Sequence, residues 1–270
     1  MDEVSPVTLP TDKILAHKQS GVGWLTFNQP EKRNAISLAM WDAIAMAVDA
    51  FAADPAVRVV VMKGAGGKAF VSGADISEFE KVRNDAEAQR EYTRRTSAAG
   101  ERLAMLDRPL IAMIRGFCIG GGMAMAMRAD LRVASSDSRF GIPAARLGIA
   151  YNQTSIERLL ALVGPAKAKE ILFLGRHYTA AEALEMRFVN AVVAPEELES
   201  TVVAMAGEIV RNAPLSIRAS KATIDQLTGD PSRRDPARIE ALERACFDSA
   251  DYAEGRRAFM EKRPPLFIGR

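Results

Sequence analysis

Cysteine is scarce in this 270-residue chain: Cys118 and Cys246 are the only two. They can form at most one bridge, so a disulfide-stapled scaffold is excluded, and the usage suits a reducing compartment. An excess of one charge is missing as well. Thirty-six Lys and Arg stand against 34 Asp and Glu, a net charge of +2, which removes a nucleic-acid binder as the default reading. Long apolar runs are absent. The most apolar stretch, 118–127, is ten residues long and holds three glycines, whereas a spanning helix needs about 20 residues. No apolar core of a secretory leader follows Met1, Asp2 and Glu3. We therefore expect a cytoplasmic protein with neither membrane nor nucleic acid as partner. Three chemical signatures are missing too. No Gly-Lys-Ser/Thr forms a P-loop, no Gly-x-Ser-x-Gly elbow supports a serine hydrolase, and no His/Cys/Asp cluster has metal-ligand spacing.

What the chain has is an ordinary globular balance, 48% apolar and 26% charged. About 70–75% of the unfolded surface can be buried at this length, and ~150 residues per domain gives one large domain or one with an appendage. Residues 1–12 are polar and contain Pro6 and Pro10, a loose arm. Residues 14–27 suit two strands about a Ser20–Gly21 turn. Ser37 can cap a helix whose apolar positions Leu38, Trp41, Ile44, Ala45, Val48 and Phe51 share one face, stopped by Asp54–Pro55. The run 57–62 reads as a buried strand, followed by Gly64, Gly66 and Gly67. A polar helix is expected over 85–106, ended by Arg108–Pro109. A buried strand at 110–114, the glycines 116 and 120–122, a small-residue helix to Ala129 and a strand at 131–134 follow. Strand, glycine loop and helix recur, which argues an α/β fold with parallel pairing. The core spans residues 1–195. Residues 196–270 read as helices only, near 195–212, 215–226 and 237–260, an element that closes the site, joins subunits or covers the core.

Two segments carry chemistry. Residues 68–77 read Lys-Ala-Phe-Val-Ser-Gly-Ala-Asp-Ile-Ser and residues 115–124 read Arg-Gly-Phe-Cys-Ile-Gly-Gly-Gly-Met-Ala. Each follows a buried strand, and small residues let a backbone N–H approach a ligand closely. Gly120–Gly122 also opens a helix, whose first N–H groups lack partners and favour negative charge. Two such donors converging on one oxygen make an oxyanion hole; a tight strand–helix turn is the competing reading of either segment alone.

In this order and separation the two segments resemble the crotonase family, the enoyl-CoA hydratases, isomerases and their relatives. Pro30-Glu-Lys-Arg-Asn-Ala35, Phe140-Gly-Ile-Pro143, Arg146-Leu-Gly148, Arg158-Leu159, Thr179-Ala-Ala-Glu-Ala-Leu184 and Ala258-Phe-Met-Glu-Lys-Arg263 extend the likeness over about residues 14–265. The resemblance implies a spiral of repeated ββα units, a helical C-terminal trimerisation element, and a homotrimer or dimer of trimers. It implies an acyl-CoA substrate whose thioester oxygen is held by the N–H groups of Ala74 and Gly121. It also implies that CoA enters as part of the substrate and lies along Ala74, Asp75 and Ile76, with no separate cofactor. Arg33 and Lys262 are its candidates for the CoA phosphates, a solvated surface charge being the alternative for each.

The resemblance also exposes departures. The two glutamates with which hydratases of the family add water fall at Ala124 and Ala144, and alanine neither activates water nor delivers a proton. Tyr151-Asn152 sits where hydratases carry Pro-Gly and resembles the methylmalonyl-CoA decarboxylase branch, in which the tyrosine orients the substrate carboxylate. That branch keeps a glutamate at the place of Ala124 and a histidine at the place of Ala74. Tyr151 is thus a catalytic candidate or a packing tyrosine. Asn152, as an amide, is no base; His17, His177 and Asp130 read as structural or exposed, and Cys118 as a core thiol. The leading expectation is an acyl-CoA lyase or isomerase that stabilises an enolate without being an efficient hydratase. A malonyl-type-CoA decarboxylase, a non-catalytic acyl-CoA binder and a pure scaffold are the alternatives.

Overall fold

The computed structural model describes residues 3–75 and 86–270. Seven strands form one sheet in the order β1 (Ser5–Pro6), β2 (Ile14–Gln19), β3 (Val22–Phe27), β4 (Val59–Gly64), β6 (Leu110–Ile114), β8 (Leu131–Ser135), β11 (Ala191–Val193). Four form a second, in the order β10 (Tyr178–Thr179), β9 (Arg139–Gly141), β7 (Phe117–Ile119), β5 (Ala69–Val71). The chain alternates between the two: β4 then β5, β6 then β7, β8 then β9. A helix follows each of the first two pairs: α2 (Ala86–Ala104), then α3 (Gly121–Ala126). This is a spiral of ββα units, and every pair from β3 through β11 in the large sheet is parallel.

Successive side chains of a strand point to opposite faces, and here both faces are buried. Val60 and Met62 join the main core with α1 (Leu38–Ala52), while Val59 and Val61 join Ile111, Met113 and Val133 in a second cluster. That second cluster is covered by Leu198, Val202 and Ala206 of α6 (Leu198–Arg211), three residues spaced four apart along one helix face. Double-sided burial is why 57–62 reads as a continuous apolar run. Ser37 caps α1 as expected, its hydroxyl accepting from the Met40 N–H at 3.4 Å. The hairpin turns at Ser20 and Gly21, both with positive φ, the backbone that a two-residue hairpin requires.

Three expectations are adjusted. The arm at 1–12 is partly held, because β1 pairs antiparallel with β2 and the Val7 N–H reaches the Ala16 carbonyl at 2.8 Å. The small-residue helix stops at Ala126, after which single turns lead to Ala129. The helix expected over 237–260 is two, α8 (Pro236–Phe247) and α9 (Ala250–Glu261). Ser249 divides them by capping α9 with its hydroxyl, which accepts from the Tyr252 N–H at 3.0 Å. The start of the 85–106 helix at Asp85 lies outside the described residues. The remaining helices are α4 (Gln153–Leu174, interrupted at Gly164–Pro165), α5 (Ala180–Glu185) and α7 (Pro214–Thr228). Residues after α9 fold back on the helices. Asp251 accepts from the Ile268 and Gly269 N–H groups, Glu254 from the Leu266 N–H, and Arg58 donates to the Phe267 carbonyl at 2.6 Å. No helix of the described residues is long and apolar enough to cross a membrane.

Candidate active site

The small sheet sets the site. β5 and β7 are adjacent and parallel, with Val71 opposite Cys118, so the segments that follow them leave the same sheet edge side by side. Their approach is close enough to demand small residues. A Cβ on Gly122 would stand 1.9 Å from the Val71 carbonyl oxygen, and one on Gly121 would stand 3.3 Å from the Gly73 Cα and 3.4 Å from the Ala74 nitrogen. Gly73 has φ +128°, a conformation that residues with a Cβ rarely adopt.

Hydrogen bonding orients both segments. Ala74 faces Ile36 in an isolated parallel bridge that uses the Gly73 carbonyl and the Asp75 N–H, at 2.8 and 3.0 Å. In a parallel bridge the central residue's own N–H points to the opposite side, so the Ala74 N–H turns away from Ile36. Gly121 is the first residue of α3, where a helix leaves its N–H without an intrahelical acceptor. Neither N–H has a protein acceptor among the described residues. Since a Cβ lies about 2.5 Å from its own nitrogen, the 3.4 Å contact puts the two nitrogens within about 6 Å of each other.

Tyr151 comes to the same place. Its hydroxyl donates to the Gly120 carbonyl at 3.3 Å, and burial pushes its pKa well up, so it stays a protonated donor. Arg128, one turn beyond Ala124 on the chain, donates to the Ala124 carbonyl at 2.6 Å and to the Gly100 carbonyl at 3.2 Å. It has no ion-pair partner among the described residues, and burial, together with the charge of Arg158, pulls its pKa down to about 10. Ala124 and Ala144 are both half-buried against the main core. Cys118 is fully buried and burial pushes its thiol up, which keeps it an unreactive core residue.

The proposed CoA contacts divide. Asp75 is buried and pairs with Lys32 at 2.8 Å, tying the segment to the 30–35 motif. Ile76 lies outside the described residues. Arg33 is exposed, its guanidinium 5.0 Å from the Phe117 ring at the start of β7. Lys262 is exposed at the end of α9 and, among the described residues, has no hydrogen bond or ion pair to either segment. Asn152 uses its side-chain oxygen to cap α4, accepting from the Ser155 N–H at 2.9 Å. Asp130 receives the Leu110 N–H at 2.7 Å and the Lys221 ammonium at 2.6 Å, a junction between strand and helix. His17 stacks on Trp24 and His177 meets the edge of Phe117. No cluster of three or more His, Cys, Asp or Glu that could hold a metal occurs among the described residues.

Sequence reasoning passed over two residues of this region. Asn34 is fully buried at φ +56°; it accepts from the Gln29 N–H at 2.9 Å and donates to the Ala65 and Ala69 carbonyls at 3.0 and 2.8 Å. Its signal was an Asn after a charged turn, a residue type that tolerates left-handed backbone. Arg128 was signalled by its isolation as the one charge closing a helix of glycine, alanine and methionine.

A family model described as Enoyl-CoA hydratase/isomerase matches residues 17–270. The chain is 36% identical over 253 residues to the short-chain-enoyl-CoA hydratase of Clostridium acetobutylicum, covering 93% of this chain and 96% of that protein. It is 32% identical over 252 residues to the methylmalonyl-CoA decarboxylase of Escherichia coli, covering 92% and 95%. The crystal structure of an enoyl-CoA hydratase/carnithine racemase from Magnetospirillum magneticum superposes with a TM-score of 0.92 at 36% identity, covering 96% of this chain and 97% of that one. With the ββα spiral and both glycine segments in place, the chain belongs to the enoyl-CoA hydratase/isomerase family, the crotonases.

Proposed function

We propose that this chain is an enzyme of acyl-CoA thioesters, in which the N–H groups of Ala74 and Gly121 hold the thioester oxygen while an enolate forms. The observation that carries this reading is the close approach, within about 6 Å, of two backbone nitrogens without protein acceptors from neighbouring segments of the small sheet. Each donor needs an acceptor about 2.9 Å away, and a nitrogen separation of up to about 6 Å leaves room for one oxygen between them. Negative charge grows on that oxygen as the enolate forms, so fixed donors favour the transition state over the ground state. Loss of one such donor typically costs about 3–4 kcal/mol. CoA enters with the substrate, and no other cofactor is required for this step. Arg33, beside Phe117, is the better placed of the two phosphate candidates; Lys262 would need the CoA chain or a second copy to approach it.

Efficient hydration is not expected of this site. Ala124 and Ala144 offer no proton acceptor or donor where the resemblance puts the hydratase glutamates, and such groups supply roughly 10²–10⁴-fold each. The names of the hydratase relatives therefore transfer to this chain only as far as acyl-CoA and enolate. Decarboxylation of a malonyl-type CoA is the second reading. It is favoured by the Tyr151-Asn152 pair and by the 32% identical decarboxylase, and it needs an oxyanion hole with little acid–base machinery. Working against it, the Tyr151 proton is directed at the Gly120 carbonyl and Asn152 at its helix cap.

The test is a panel of enoyl-, malonyl-type and β-ketoacyl-CoAs followed by mass spectrometry. We expect a product from at least one member and crotonyl-CoA hydration far below the 10–10³ per second usual for enzymes. Efficient hydration would overturn the reading of the two alanines. Binding of acyl-CoA with no product from any member would make the chain a binder. We place this work in the cytoplasm, on the ground of two free cysteines.

A further inference from the structure

The carbonyl of the Gly120–Gly121 peptide is held by two donors, and the peptide before it by one acceptor. The Gly120 N–H donates to the Gly141 carbonyl at 2.8 Å, and the Gly120 carbonyl accepts the Ala124 N–H at 3.1 Å and the Tyr151 hydroxyl at 3.3 Å. The other polar group of the Gly120–Gly121 unit is the Gly121 N–H. The Ala124 bond is the ordinary first turn of a helix, but the Tyr151 bond is an addition from a different part of the chain, just ahead of α4. Donors on a peptide carbonyl draw electron density from its nitrogen and make the N–H on the other end a stronger donor; this is the cooperative strengthening seen along hydrogen-bond chains.

We propose that Tyr151 is a positioning residue for the oxyanion hole: from the carbonyl side it fixes and polarises the peptide whose N–H meets the thioester oxygen. The proposal rests on the reading of Gly121 as an oxyanion donor. It gives Tyr151 a task in every enolate-forming reaction of the site, whatever the acyl group, and differs from a role in gripping a substrate carboxylate. Burial keeps the phenol protonated across the working range, and Ser155 and the Arg128 guanidinium neighbour its oxygen. At 3.3 Å the bond is long for a hydroxyl donor, so its effect belongs at the lower end of the range for one cooperative bond, roughly a tenth to a fifth of the interaction it strengthens.

The experiment reads the thioester carbonyl itself. Butyryl-CoA labelled with ¹³C at the carbonyl is bound to the protein, and its C=O stretch is measured by isotope-edited infrared spectroscopy. In the unaltered protein the stretch should fall below its value in water. In Tyr151→Phe roughly a tenth to a fifth of that fall should be lost. Tyr151→3-fluorotyrosine keeps the ring and strengthens the donor, so it should deepen the fall, and it keeps the proposal testable if the Phe variant folds poorly. An equal fall in all three proteins would overturn the role of Tyr151 while leaving the oxyanion hole standing. No fall in any of them would overturn both.

Discussion

At the scale of single residues, the proposed chemistry turns as much on two methyl groups as on polar atoms. Ala124 lies one helical turn from Arg128, a half-buried guanidinium whose bonds go to backbone carbonyls. A carboxylate at position 124 would therefore meet a cation that has no ion-pair partner among the described residues. The double substitution Ala124→Glu with Ala144→Glu should raise crotonyl-CoA hydration by 10²-fold or more, since each general acid or base supplies roughly 10²–10⁴-fold. A steady-state assay of the double variant against the parent checks it, and an unchanged rate would mean that the two positions do not face the β-carbon. Asn34 makes the complementary point about stability. Its bonds to the Gln29 N–H and the Ala69 carbonyl are buried and that to the Ala65 carbonyl is part-buried, and leaving a buried partner unpaired costs about 1–3 kcal/mol. Asn34→Ala should lower the unfolding free energy by about 2–4 kcal/mol in urea titration. A change under ~1 kcal/mol would show that the 30–35 turn is held by other contacts.

Among the elements, the register of β5 against β7 is what brings the two segments together. Gly122 secures that register, because any Cβ there would overlap the Val71 carbonyl at 1.9 Å, and backbone cannot yield as a side-chain tip can. Gly122→Ala should destabilise the fold by about 1–3 kcal/mol or more, as overpacked core positions do, and should weaken acyl-CoA binding in the same variant; thermal melting with calorimetric titration reads both. The C-terminal tail is governed by charge. Arg263 and Arg257 donate to Glu254 and hold its carboxyl well below the usual carboxylate range. A depressed carboxylate contributes stability that is present above its unfolded pKa and is lost as pH falls toward its folded one. The tail should therefore stay docked at neutral pH and loosen only on strong acidification. Amide exchange of Leu266, whose N–H bonds to Glu254, checks this, and protection that persists undiminished in Glu254→Gln would contradict it.

For the molecule as a whole, legibility followed the length and repetition of the pattern. The hairpin at 14–27 and the strands at 57–62, 110–114 and 131–134 were readable because each is several residues long and buried on one or both sides, although the first of these strands runs two residues later, at Val59–Gly64, and the Ser37 cap was readable from its residue type ahead of an apolar helix face. The strands of the small sheet were not readable from pattern, since β5, β7, β9 and β10 span only two or three residues each and draw their order from neighbours distant in sequence. The same limit governed the site. Ala74 and Gly121 could be nominated from small-residue segments, but the Tyr151 bond to Gly120 joins positions 31 apart and has no local signature. Nor did anything in the tail mark Asp251 and Glu254 as its anchors. The large apolar side chains left exposed on the helical region, Phe259 at 83% and Met260 at 80%, suit the homotrimer or dimer of trimers we propose. Sedimentation should give three or six times 29.3 kDa, and a monomer at micromolar concentration would remove that assembly. The central claim is that the Ala74 and Gly121 N–H groups receive a thioester oxygen. Its most direct measurement is the backbone amide NMR of those two residues during titration with butyryl-CoA and with S-butyl-CoA, a thioether of the same chain without the carbonyl. The account predicts that both amide signals move downfield with the thioester and scarcely move with the thioether; equal responses to the two ligands, or none to the thioester at saturation, would contradict it.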